Sequence, residues 1–243
     1  AHKQRMKMAE KVVIGNAELW HGDCREVLPL VAFDVLLCDP PYGIDGGNGG
    51  DARDFNKGGY ALTGWQDTEE YIRWCVVPVL TLAVARAKRA AITPGVRSMS
   101  FYPRPADVGC YWTPAAATHG PWGFTTFQPI LYYGKDYRAG KGALPSGRAL
   151  TEAAEKNGHP CPKPLNAWQW LLDKVAERDD VVFDPFMGSG TGAVACHQMG
   201  RRFVGVEMER AYFDIACERL HRAMAQGQLL PEPPRECVQE GLL

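Results

Sequence analysis

The sequence lacks several features that would assign it to a simple functional class. No run approaches about eighteen consecutive apolar residues, so no membrane-spanning helix is predicted. No apolar segment follows the basic first residues, which argues against a secretory signal peptide. None of the 8 cysteines is spaced as C-x-x-C, which argues against a structural zinc site. Most of them lie in apolar runs, as free cysteines do, which favours a reducing cytoplasm.

A strong basic charge is also missing, because the formal net charge is −1. The charge is unevenly spread, however. From Arg86 to Lys163 eleven Lys and Arg stand against four Asp and Glu, so this segment carries +7 and the remainder −8. A basic middle segment can follow the phosphates of a nucleic acid. A solvated loop surface explains the same charges equally well.

Apolar runs alternate with helical patterns at both ends of the chain. This order predicts one α/β domain with a seven-stranded, mostly parallel sheet and helices on both sides. The predicted strands are 12–14, 17–20, 33–38, 89–93, 128–133, 181–183 and 203–206. The predicted helices are 25–30, 68–87, 164–177, a segment ending near 199, and 210–225.

Polar signatures stand at the ends of four predicted strands. They are Gly22-Asp23-Cys24, Asp39-Pro40-Pro41-Tyr42, the segment from Asp184 to Gly192, and Glu207. Ligands of open α/β sheets bind beyond the carboxyl ends of the strands. The four signatures are therefore predicted to converge on one site.

The segment Gly188-Ser189-Gly190-Thr191-Gly192 lies at a predicted turn from strand to helix. Glycines there let the backbone approach a ligand closely. The spacing is neither that of a dinucleotide fingerprint nor that of a P-loop. An acidic residue at the end of the next strand, Glu207, suits a ribose diol. Together they predict a nucleoside cofactor held without a phosphate clamp, whereas the glycines alone also fit a plain tight turn.

The segment Asp39-Pro40-Pro41-Tyr42 combines an acid, two stiff residues and an aromatic ring. Prolines hold the backbone extended and leave carbonyl groups free to accept hydrogen bonds. A carboxylate and a carbonyl together can accept both N–H groups of an exocyclic amine, and Tyr42 offers a face for a base to stack on. The alternative is a stiff strand exit with a surface tyrosine.

These motifs, in this order, resemble the amino-group DNA methyltransferases of the permuted β class. The segment from Asp184 to Thr191 is similar to that family's D-P-F-x-G-S-G-T, and Asp39 to Tyr42 is similar to its D-P-P-Y. His159 to Pro164 resembles its H-P-T-Q-K-P, with Cys161 and Pro162 in place of Thr and Gln. The resemblance covers roughly residues 12–92 and 125–225 and is poor between them.

The resemblance implies a Rossmann-like, circularly permuted fold that uses S-adenosylmethionine, yields S-adenosylhomocysteine, and needs no metal. Asp39, Pro40, Pro41 and Tyr42 would form the catalytic segment. The implied cofactor-binding residues are Asp23 and Cys24 at the adenine, Glu207 at the ribose, His159 and Lys163 at the methionine carboxylate, and Asp184, Phe186, Gly188, Ser189, Gly190 and Thr191 around the sugar and methionine. For His159 a structural role at the entry of a helix is the alternative.

The implied activity is site-specific methylation of double-stranded DNA at the N6 of a flipped adenine, as in restriction–modification. The alternatives are N4 of cytosine, or a catalytically silent specificity subunit. The catalytic domain is predicted at 10–93 and 125–228, a target-recognition insertion at approximately 94–158, and a loose tail at 229–243. Similar enzymes also imply a homodimer, and the protein is expected to be cytoplasmic, without membrane contact.

Overall fold

A computed structural model describes residues 9–43, 67–112, 118–120, 123–139, 142, 144–149 and 163–229. The strands are β1 (Glu10–Ile14), β2 (Ala17–His21), β3 (Val35–Cys38), β4 (Arg89–Ile92), β5 (Asp107–Trp112), β6 (Thr118–Gly120), β7 (Gly123–Thr125), β8 (Phe127–Gly134), β9 (Gly147–Ala149), β10 (Val181–Asp184) and β11 (Arg202–Glu207). The helices are α1 (Cys24–Val27), α2 (Glu69–Tyr71), α3 (Val77–Arg86), α4 (Leu165–Val175), α5 (Thr191–Gln198) and α6 (Arg210–Leu229).

One large sheet has the strand order β1-β2-β11-β10-β3-β4-β8-β5-β9. The five strands β2, β11, β10, β3 and β4 are parallel to one another. β1 joins β2 antiparallel, and β8 lies antiparallel to both β4 and β5. β9 pairs with β5 in parallel. Strands buried on both faces form the parallel centre, as the apolar sequence of β3 predicts.

The predicted seven-stranded, mostly parallel sheet needs correction. The sheet is mixed and has nine strands, and β6 and β7 form a separate antiparallel pair. The extra strands come from the segment 94–158, where the sequence shows only one clear strand. β5 contains Gly109, and β9 has only three residues and begins with Gly147, so their pairing partners decide their conformation more than their own pattern does.

Helices cover both faces of the sheet and enclose two apolar clusters. On one face α4, α5 and α6 pack side chains such as Leu171 and Phe213 against the sheet. On the other face α1 and α3 contribute Val27 and Leu80. Leu171, Leu80 and Val27 are fully buried. The prediction of helices on both sides of the sheet is confirmed.

The long predicted helix at 68–87 is built in three parts. Thr68 caps its start, because its side chain accepts a hydrogen bond from the N–H of Tyr71. A π-helical turn, Ile72–Val76, then separates α2 from α3. Pro78 is the second residue of α3 and follows the π-helical turn directly, so it cannot donate the N–H that would continue the helical hydrogen bonds at this point. None of the described helices combines the length and apolarity that crossing a bilayer requires.

Candidate active site

The carboxyl ends of five neighbouring parallel strands place polar side chains in one row. Asp23 lies two residues beyond β2, Glu207 ends β11, Asp184 ends β10, Asp39 follows β3 and Thr93 follows β4. Because these strands are neighbours in this order, the row follows one edge of the sheet. Residues far apart in sequence are thereby brought to one site, as the strand-end signatures predict.

Asp39 accepts hydrogen bonds from three side chains. The hydroxyl groups of Tyr42 and Thr93 each donate to its Oδ1 at 2.5 Å. The ammonium group of Lys163 lies 2.8 Å from its Oδ2. A carboxylate offers about four lone-pair directions, so one remains for a further donor. These contacts fix the orientation of Asp39 while its side chain stays 18% exposed.

The backbone around Tyr42 is held by side chains from other segments. Asp67 accepts the N–H groups of Tyr42 at 3.3 Å and of Gly43 at 2.7 Å. The hydroxyl of Ser98 donates to the carbonyl oxygen of Tyr42. A Cβ atom at Gly95 would lie 3.0 Å from the Tyr42 ring, so glycine lets the backbone pass close to the ring. Gly95 also has a positive φ of 75°, which favours glycine.

Asp184 and Glu207 are carboxylates whose hydrogen-bond donors within the described chain are backbone N–H groups. Asp184 accepts from Phe186 at 3.0 Å, and Glu207 accepts from Gly188 at 2.9 Å and Glu209 at 2.8 Å. Burial raises the pKa of Asp184 well above its usual range, and the nearby charges of Asp39 and Glu207 add to this. Burial raises the pKa of Glu207 to about 7, although the N–H donors act against it.

The glycine-rich turn after β10 is fastened to α6. Gly190 precedes α5 with a φ of 78°, and a Cβ atom there would lie 2.8 Å from the Cβ of Ala216. Arg219, also on α6 and only 6% exposed, donates to the carbonyl oxygen of Ser189 at 2.6 Å and to the hydroxyl of Thr191 at 3.3 Å. The glycine is thus required by packing as well as by the left-handed backbone.

Asp23 and Cys24 form the start of α1. Asp23 caps the helix through the N–H of Arg25 at 2.8 Å and also receives the Arg25 guanidinium at 2.9 Å. Burial raises the pKa of Asp23, but the hydrogen bonds from Arg25 outweigh this effect and lower it overall. Burial raises the pKa of the Cys24 thiol to about 12, so this thiol is neutral at pH 7. The glycine before them is held to β11, because the N–H of Gly22 donates to the carbonyl of Glu207 at 3.0 Å.

Sequence reasoning missed four residues that shape this site. Thr93 ends a predicted strand, so the strand-end rule that found Asp39 applies to it equally. Asp67, Ser98 and Arg219 give no comparable signal, because their partners lie in distant segments or in another element. His159, Cys161, Pro162 and the glycine-rich stretch at 44–66 lie outside the described residues.

Comparisons with known proteins support a relation to DNA methyltransferases. Residues 112–218 match the family model N6_N4_Mtase, described as DNA methylase. The type II methyltransferase M.HindIII of Haemophilus influenzae is 30% identical over 123 residues, which are 39% of this chain and 40% of that protein. The putative methylase YubD of Escherichia coli is 40% identical over 72 residues, 28% of this chain and 32% of that protein. The chain therefore spans less than half the length of these relatives.

Solved structures share the fold over most of the chain. The M1.HpyAVI–SAM complex has a TM-score of 0.61 at 19% identity, covering 84% of this chain and 98% of that one. The PvuII DNA methyltransferase, described as cytosine-N4-specific, has a TM-score of 0.61 at 13% identity, covering 88% and 93%. The fold is thus one that DNA methyltransferases adopt, and the sequence matches support a relation to them.

Proposed function

We propose that this protein is a DNA methyltransferase that transfers the methyl group of S-adenosylmethionine to the N6 amino group of a flipped adenine. The observation that carries this proposal is the row of polar strand ends. It sets a tightly oriented acid, Asp39, one strand away from the buried carboxylate of Asp184 and two strands away from Glu207. The proposed site for the amine of the base, at Asp39, and the proposed site for the cofactor, at Asp184 and Glu207, then share one edge of the sheet.

The chemistry of the residues fits the cofactor. S-adenosylmethionine supplies a methyl group on a positively charged sulfur. Asp184 and Glu207 are desolvated acids without a Lys or Arg partner among the described residues, so a cationic ligand that also offers hydroxyl donors would stabilise their ionised forms. Glu207 would accept the ribose hydroxyls, Asp23 and Cys24 would border the adenine, and the turn from Gly188 to Thr191, together with Phe186, would surround the sugar and methionine.

Asp39 would act by hydrogen bonding and orientation. Its carboxylate and the carbonyl of Pro40 would each accept one N–H of the exocyclic amine, which would hold the nitrogen lone pair toward the methyl group. The new N–C bond forms as the C–S bond breaks, and the nitrogen then loses a proton. Prior deprotonation of the neutral amine is not needed, because the sulfonium carbon is already a strong electrophile.

A base in a duplex reaches this edge only when it is flipped out, at a cost of a few kcal/mol. Tyr42 would stack on the flipped base, which contributes about 1–3 kcal/mol. The segment 94–158 would supply target recognition, although its strands β5, β8 and β9 also complete the main sheet. That its aromatic residues serve only packing is the alternative for any one of them.

Cytosine N4 is the second candidate for the methylated position. A structural neighbour with this fold is described as cytosine-N4-specific. Adenine is preferred because Asp rather than Ser stands first in the segment Asp39 to Tyr42, which resembles the adenine type. The permuted motif order, the homodimer and a restriction–modification context stay predictions.

Incubation of unmodified DNA with S-adenosylmethionine carrying a labelled methyl group tests this proposal. We expect label in the DNA, and we expect nuclease digestion to yield N6-methyladenine. N4-methylcytosine would favour the second candidate instead. Cofactor binding without transfer to any of several unmodified genomic DNAs would contradict the proposal and would favour a silent specificity subunit.

A further inference from the structure

Lys163 contacts both groups that the proposed function assigns to the base. Its ammonium lies 2.8 Å from Oδ2 of Asp39 and 4.8 Å from the centre of the Tyr42 ring. The hydroxyl of Tyr42 donates to the other oxygen of Asp39 at 2.5 Å. The Lys163 side chain is only 11% exposed, so solvent screens these contacts weakly. One cation therefore binds the proposed acceptor and the proposed stacking ring together.

The backbone of Lys163 is restricted by the proline that follows it, whereas its ammonium can change partners. Pro164 follows directly and is the N-cap of α4 with a φ of −60°, which the proline ring sets. The carbonyl of Pro164 also accepts the N–H of Ala167 at 3.1 Å. The four-carbon stem of a lysine can nevertheless move its ammonium between acceptors by rotating about single bonds.

An ammonium group on Asp39 competes with a neutral amine. Charged donors form roughly twice as strong hydrogen bonds to a carboxylate as neutral donors do. One lone-pair direction of Oδ2 remains beside the ammonium, but an oxygen that already binds a charged donor is a weaker acceptor for the amine of a base, and the ammonium also lies over the Tyr42 ring. The base would bind Asp39 and Tyr42 fully only after the ammonium has moved to another anion.

We propose that Lys163 couples the cofactor site to the base site. Its ammonium holds Asp39 and Tyr42, and it passes to the carboxylate of the methionine moiety when the cofactor binds. Oδ2 of Asp39 and the Tyr42 ring then no longer bind the ammonium, while Tyr42 and Thr93 still donate to Oδ1, so the cofactor binds first and raises the affinity for the base. By linkage the two ligands strengthen each other equally. This inference rests on the proposed function.

Two ligands separate the effect of the carboxylate from that of the nucleoside. S-adenosylhomocysteine carries the amino acid carboxylate, whereas 5′-methylthioadenosine lacks it. Asp39→Asn releases Lys163, so we expect it to tighten S-adenosylhomocysteine binding about fivefold and to leave methylthioadenosine unchanged. Lys163→Met should weaken S-adenosylhomocysteine about tenfold, again without an effect on methylthioadenosine. When Lys163→Met is already present, adding Asp39→Asn should no longer tighten the binding of S-adenosylhomocysteine.

Isothermal titration calorimetry on the full chain measures these affinities, and thermal unfolding confirms that each variant is folded. Lys174→Met is the matched control, because Lys174 is similarly buried over a tyrosine ring, that of Tyr132, at 5.2 Å. Its partners, the carbonyl of Leu144 at 2.9 Å and Asp136 at 3.8 Å, are not part of the candidate site. It should change neither affinity. The coupling is overturned if Asp39→Asn binds S-adenosylhomocysteine no more tightly than the wild type does, or if its affinities for both ligands change equally. The proposed function stands in either case. A wild-type protein that binds neither ligand contradicts the proposed function and this inference with it.

Discussion

At the amino ends of β3, β4 and β10 acidic side chains lie against basic ones, whereas at the carboxyl ends of β10 and β11 the acids Asp184 and Glu207 accept hydrogen bonds from backbone N–H groups. Arg89, which begins β4, contacts Asp180 at 2.6 Å and Glu177 at 2.9 Å. Lys88 contacts Asp34 at 2.8 Å, and this hydrogen bond is the main cause that lowers the pKa of Asp34. At the opposite edge burial raises the pKa of Asp184.

The amino ends of these strands therefore form a structural edge of the sheet, and the carboxyl ends form a candidate ligand edge. Where each acid has a basic partner, its ionised form is stabilised in the folded protein and the pair holds neighbouring strands together. Where acids are desolvated close to one another, their ionised forms are costly until a ligand supplies donors or positive charge. Perturbed carboxylates of this kind concentrate at functional sites. Substitutions at the two edges should therefore affect different measurements.

The largest expected effect is that of Asp39→Ala on methyl transfer. We expect the rate to fall about 10³-fold, because the amine loses its charged acceptor and its orientation. Cofactor binding should be retained and, because Lys163 is released, should tighten as in Asp39→Asn. Asp173→Ala is the control, since Asp173 is also a partly exposed acid in an ion pair, with Arg138 at 2.5 Å, but lies on α4. Near-normal turnover of Asp39→Ala in a labelled-methyl assay would show that this acid is not the principal catalytic group.

At the structural edge, Arg89→Met should lower the free energy of unfolding by about 3–5 kcal/mol. It removes the nearer and more buried of the two cations beside Asp180, which is only 4% exposed and keeps Lys88 at 3.3 Å, and breaking a buried pair is costly. Arg89 also donates to the carbonyl of Val175 at 2.7 Å. Urea unfolding measures the loss, and turnover per folded molecule should stay unchanged. The neighbouring exposed Lys88→Met should lose much less; equal losses would refute the role of burial.

The pH dependence of stability should distinguish the edges as well. The pKa of Glu207 rises from 4.5 to about 7 on folding, so the unfolded chain releases this proton first. The stability that this group contributes is complete below pH 4.5 and is lost as the pH rises to about 7. The loss is at most about 3–4 kcal/mol, because one pKa unit corresponds to about 1.4 kcal/mol.

Glu207→Gln should remove this part of the pH dependence. Urea unfolding at pH 5 and pH 8 gives the difference for each protein, and the variant should lose less stability than the wild type between them. Asp184 keeps its own contribution of the same sign in both proteins. Glu177→Gln, at the structural edge and 55% exposed, should leave the difference unchanged. A variant that loses as much as the wild type would contradict the assigned burial of Glu207.

Much of the ligand edge could be predicted from sequence, because it depends on local patterns. Continuous apolar runs marked β3, β10 and β11, and each run ends at an acidic residue in the position expected. The alternation of these strands with helices then predicts that they run parallel in one sheet. The same reasoning reaches Thr93 after β4, although its hydrogen bond to Asp39 needs the pairing of β3 with β4 to be known.

Other parts could not be predicted, because they depend on contacts between distant segments. The strands β5 and β9 gain their conformation from pairing with β8 and with each other. Lys163 was assigned to the cofactor carboxylate by resemblance alone, and nothing in the sequence places its ammonium on Asp39. Arg219 lies on a helix of mixed polarity, so burial of its guanidinium at the glycine-rich turn has no local signal.

The smallest predicted effect concerns the two roles of Tyr42. Tyr42→Phe should keep turnover within about threefold of the wild type, because the hydroxyl of Thr93 still donates to the same oxygen of Asp39 at 2.5 Å. Tyr42→Ala should lose about tenfold or more, because the base then has no ring to stack on. Single-turnover transfer rates measure both. If both variants lost the same factor in transfer rate, the hydroxyl of Tyr42 rather than its ring would be responsible. In that case Thr93→Val should lower the rate as much as Tyr42→Phe does.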